Sequence, residues 1–103
     1  MENLEEADLM PDVWVKVVEV SGDCPVHRVG DRFVVRQGFK LDSLGGEVCL
    51  HALSGMLSLI WALGHGHDPE DLGLGQPPRL RCPDPGPPHS RGGTVTFELT
   101  VSK

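Results

Sequence analysis

The sequence predicts an α+β domain, an antiparallel sheet of about four strands with one principal helix packed on it, because such a layer pair buries both amphipathic faces. Three observations carry this. Thr94, Thr96, Glu98 and Thr100 alternate with Val95, Phe97, Leu99 and Val101, the period-two pattern of a strand with one face in water. Val13 to Val20 is dense in β-branched residues. From Cys49 to Leu63 the apolar residues follow helical spacing.

In chain order, Pro11 and Asp12 mark the start of the first strand and Ser21-Gly22-Asp23 its turn. Val29-Gly30-Asp31 leads into a second strand, Arg32 to Arg36, with Phe33 and Val35 on one face. Nearness in sequence makes the two neighbours in one antiparallel sheet. Residues 37–48, with Gly38, Gly45 and Gly46, read as an irregular connection. In the helix, Cys49, Leu53, Met56, Leu57 and Ile60 share the inward stripe at roughly 100° per residue. His51, Ser54, Gly55, Ser58 and Ala62 fall opposite, and Gly64 is the stop signal. The Gly- and Pro-rich stretch 65–78 is loop, with one helical turn starting at Asp68-Pro69. Arg79 to Cys82 is a short strand ended by Pro83 and Pro85. Residues 1–12 read as an acidic N-terminal tail and 13–103 as a single compact domain.

Composition narrows the function. The chain of 103 residues has a formal charge of −6, so clustered cations for neutralising phosphate are not expected, and nucleic acid is not an expected partner. Glu2, Glu5, Glu6 and Asp8 concentrate the acidity at the N-terminus, most simply as a solvated terminus. No apolar run reaches membrane-spanning length and no signal-peptide pattern opens the chain, so a cytoplasmic protein with no membrane partner is expected. In that compartment an odd count of three cysteines fits reduced, metal-bound or reactive sulfur better than disulfides.

The thiols are the chemistry-bearing feature. Cys24, His27, Cys49 and Cys82 form a candidate Cys3His set for zinc, since thiolate and imidazole are its preferred ligands and Cys24-x-x-His27 has chelating spacing. His51 is the poorer ligand, turned about 160° from Cys49 around the helix axis. Two other readings stay open. Free cysteines commonly pack as small hydrophobes, and Cys49 and Cys82 share faces with apolar residues. Cys24, beside His27 and Arg28, is the candidate for a reactive thiol of a redox enzyme or sensor. His65, His67 and His89 read as solvated loop residues, and Asp84 as a turn former. No phosphate loop or nucleophile elbow is present, so the reading leans toward a binding or structural module over an enzyme. A homo-oligomer is the assembly that the small helix face around Gly55, Ser58 and Ala62 admits.

The order Cys24-Pro25, Val29-Gly30-Asp31, Cys49 opening an apolar helix that ends in Ala62-Leu63-Gly64, and Cys82-Pro83-Asp84-Pro85 before a final strand resembles an uncharacterised family of small prokaryotic proteins. The resemblance spans residues 13–102 and rests on the order of the motifs. It implies a small standalone domain in which Cys24, Gly30, Asp31, Cys49, Cys82 and Asp84 belong to the pattern, with no catalytic role attached. The chain departs from the pattern at His89 to Gly93 and in its acidic extension.

Overall fold

The computed structural model describes residues 10–102, and the acids Glu2, Glu5, Glu6 and Asp8 lie outside them. Five strands form one antiparallel sheet: β1 (Asp12–Ser21), β2 (Arg32–Arg36), β3 (Lys40–Asp42), β4 (Arg79–Arg81) and β5 (Thr94–Ser102), in the order β3-β2-β1-β5-β4. The helix α1 (Leu50–Gly64) packs across β1 and β5. The fold is the expected α+β layer pair with one strand more than expected.

The two longest strands pair at the centre, because each has enough inward apolar residues to be covered on both flanks. Val13, Val15 and Val17 of β1 meet Val95, Phe97 and Leu99 of β5 beneath α1, and Phe33 and Val35 extend this layer. A bulge between Val17 and Glu19 shifts the β1–β5 register by one residue. Its cause is legible in the pattern: with strict alternation Glu19 would turn into the core, whereas the extra residue leaves it outside and turns Val20 inward against Val95. The β1–β2 connection closes through Gly30, whose φ of +97° favours glycine, and Gly30 N donates to Val17 O at 3.0 Å.

Two expectations are corrected. The connection 37–48 contains β3, a three-residue edge strand that neither alternation nor length announces. The helix is also rotated about its axis. Ala52, Met56, Ile60 and Leu63 are its buried side chains, Leu53 is half-buried, and Leu57 is 51% exposed. Leu50 and Trp61 join Leu57 on the outward side. The helix has no charged residue, so several stripes looked equally apolar and only packing against the sheet selects one.

Phe97 is fully buried, edge-on to Phe33 with ring centroids 6.5 Å apart, and stands at the centre of the core. Phe97→Ala is expected to lower the unfolding free energy by about 3–5 kcal/mol. Urea denaturation with an unchanged m-value checks it.

Candidate functional site

The three sulfur-bearing segments come from the turn after β1, the N-terminus of α1 and the end of β4. They meet at one cleft of about 150 Å³. Cys24, His27, Cys49, His51, Cys82 and Asp84 all line it, over a floor that includes Ala52, Val95 and Phe97. All three cysteines are free and half-buried.

Each thiol is placed by backbone geometry. Cys24 sits in a turn whose Sγ accepts the amide of His27 at 3.3 Å. That turn is pressed against the entry to β5: a Cβ at Gly93 would stand 2.8 Å from Ser21 O and 2.9 Å from Asp23 N, so only glycine allows the two backbones to approach this closely. Cys82 continues the β4–β5 ladder, donating its amide to Val95 O at 2.9 Å, while its Sγ accepts Val95 N–H at 3.3 Å. Cys49 is the N-cap of α1, with extended φ and ψ of −68° and 122°, and makes no side-chain capping bond.

His27 ties these parts together. It is 2% exposed, and its ring lies edge-on to Phe97, centroids 5.4 Å apart, and stacks on Phe33. Its Nε2 accepts the Cys49 amide at 3.2 Å, which places the ring proton on Nδ1. Nδ1 is buried without a hydrogen-bond partner, 3.8 Å from Asp31 Oδ2, a separation too long for a direct bond. Burial holds the imidazole pKa below its ordinary value, and the nearby Asp31 carboxylate opposes this only in part.

The outer lip of the cleft is organised by Asp84. Its Oδ1 accepts the Gly86 amide at 2.9 Å and the Ser90 hydroxyl, and Thr94 Oγ1 donates to its backbone oxygen. The Ser90 bond first and then the Gly86 bond, with a smaller contribution from His51, hold the Asp84 carboxyl below its usual range. The aspartate is the turn former that its Pro-Asp-Pro setting suggests.

The candidate ligands Cys24, His27, Cys49 and Cys82 therefore share one cleft, although among the described residues no three His, Cys, Asp or Glu side chains stand close enough together to hold one ion. His51 was missed. Helical counting turns it away from Cys49, but Cys49 is a cap in extended conformation and not the first helical residue, so the count does not apply to that pair. The burial of His27 was missed as well. Its only signal was position, three residues after a turn cysteine and six before Phe33. His65 is not in the cleft: its ring packs on Trp61 and Nδ1 lies 2.8 Å from Trp61 O. His67 and His89 are exposed loop residues. No helix among the described residues is long and apolar enough to cross a membrane. No family model, no curated protein and no solved structure matches this chain.

The lowered His27 pKa has a testable sign. Between the folded value and the ordinary 6.5 the unfolded chain binds more protons, so stability from neutral His27 is full above pH 6.5 and is lost as pH falls toward the folded value. Urea midpoints measured across this range are expected to decline with acidification, and His27→Gln is expected to flatten that decline.

Proposed function

We propose that the chain is a small binding module whose thiol-lined cleft takes a soft metal ion, zinc being the ion its donors suit, with Cys24, Cys49, Cys82 and His27 as the ligand set. One observation carries the reading: three free thiols and a buried imidazole from three separate segments face a single small cleft. Two further features support it. The sulfurs of Cys24 and Cys82 each accept a backbone amide, which fixes both at the cleft. Asp84, which anchors the loop after Cys82, lines this same cleft. His27 would contribute Nε2, the nitrogen that accepts the Cys49 amide. The reading assigns no reaction, and it places the protein in a reducing compartment such as the cytoplasm, where such thiols persist.

Cobalt titration of the reduced protein tests it. One equivalent with a sulfur-to-cobalt charge-transfer band, displaced by zinc, is expected, and Cys49→Ser is expected to weaken binding at least tenfold, about 1.4 kcal/mol. Failure to bind either ion stoichiometrically overturns the metal reading. Faster alkylation of Cys24 than of a free thiol, in a chain that takes no metal, would support the redox alternative instead.

A further inference from the structure

The sheet has two outer strands, β3 and β4, and their sequences set opposite conditions on what can lie against them. Asp31 O accepts Val17 N–H at 2.8 Å, so the alternation of an antiparallel pair turns the backbone groups of Phe33 and Val35 toward β1 and those of Val34 and Arg36 toward β3. Lys40 and Asp42, which stand opposite Arg36 and Val34, therefore direct their N–H and C=O groups at β2. Leu41 directs its own pair outward, where no strand of the described residues lies. Such an edge is a template for another strand. Its apolar side chains are exposed as well, Phe39 by 77% and Leu41 by 47%, because α1 packs across β1 and β5.

Charge selects the strand that fits. Cations crowd the sheet face opposite α1, with Lys16 opposite Arg32 and Arg36 opposite Lys40. Arg36 is neutralised by Asp12 at 3.3 Å and Asp42 at 3.2 Å. Lys40 makes no ion pair among the described residues and has a like charge as its cross-strand neighbour, an unfavourable arrangement that a carboxylate on the open side offsets. The strand carries that carboxylate itself. When a second β3 lies antiparallel with Leu41 opposite its own copy, Lys40 of each chain stands opposite Asp42 of the other, and the two leucines exchange both backbone hydrogen bonds. The β4 edge is the reverse: the same operation centred on Leu80 sets Arg79 against Arg81, and Pro77, Pro78, Pro83 and Pro85 flank the strand. Pairing β3 with β4 brings Lys40 against an arginine in either direction.

We propose that two copies of this chain pair through β3, antiparallel about a two-fold axis at Leu41, and join their sheets into one. Because β4 repels both itself and β3, assembly closes at the dimer. A strand of three residues makes a small contact, in the class of transient interfaces. None of its residues lines the thiol cleft, so the pairing does not depend on metal binding.

Sedimentation of the natural chain at up to about 1 mM is expected to show a monomer–dimer equilibrium without larger species. Lys40→Asp and Asp42→Lys, each folded by circular dichroism, are each expected to weaken self-association roughly tenfold or more, because like charges then oppose across the axis. Mixed in equal amounts, the two variants are expected to recover the dimer, since one strand then carries only acids and the other only bases. Asp42 also accepts the Leu44 amide at 2.9 Å, so Leu41→Pro, which keeps that bond, is measured alongside. It removes the outward N–H and no bond to β2, and is expected to give a folded monomer. A natural chain that stays monomeric overturns the proposal, as does a mixture of folded charge variants that does not pair. A dimer that survives all three substitutions also overturns it, and would place the interface on the outward stripe of α1 formed by Leu50, Leu57 and Trp61.

Discussion

The hydrogen bond from the Cys49 amide to His27 Nε2 is the constraint from which the cleft follows. A helix begins with amides that have no partner within the helix, and a buried amide left unpaired costs about 1–3 kcal/mol. Here the cap residue's amide is satisfied by an imidazole that has little freedom of its own, wedged between Phe33 and Phe97. The start of α1 is thereby pinned to the connection between β1 and β2. Cys24 belongs to the same connection, because its sulfur accepts the backbone amide of that same histidine. Two of the three thiols are thus located by one residue, and the third arrives with the β4–β5 ladder.

What could be read in advance followed from local patterns. β2 was legible to the residue, since Gly30 and Asp31 mark its start and Phe33 and Val35 define its inner face. β5 was legible because its alternation is uninterrupted. The features that escaped depend on contacts between segments. β3 is held only by its ladder to β2, and its three residues contain no alternation long enough to detect. The rotation of α1 escaped because its few polar residues, His51, Ser54 and Ser58, define the opposite apolar face only loosely. For the site, the identity of the three thiols and His27 was legible, and their approach to one cleft was not. Convergence depends on Gly93 admitting the Cys24 turn against β5, and sequence shows only a glycine pair there.

The two faces of the sheet divide the molecule chemically. Beneath α1 the layer is apolar and His27 is its one buried polar residue. On the other side, cross-strand partners are mostly charged, and Trp14 with its partner Val34 is the apolar exception. The β1 bulge maintains this division, since without it Glu19 would enter the core and Val20 would leave it. A thiol site and a cationic surface can therefore coexist in a small chain without sharing residues, because a strand sends alternate side chains to opposite sides.

Stability and adjustability are separated in the same way. The β1–β5 ladder and the core beneath α1 hold the fold, whereas each thiol is attached at the margin of this unit: in a turn, at a helix cap and just past a strand end. Such positions carry few ladder bonds, so small displacements there do not require the core to repack. The four candidate ligands line one cleft, and among the described residues no three His, Cys, Asp or Glu side chains stand close enough together to hold one ion. Asp84 limits the freedom on one side by stapling the loop that follows Cys82. The Cys24 turn, braced at its base by Gly93, and the Cys49 cap are joined through His27. The two segments are thereby linked through a single histidine.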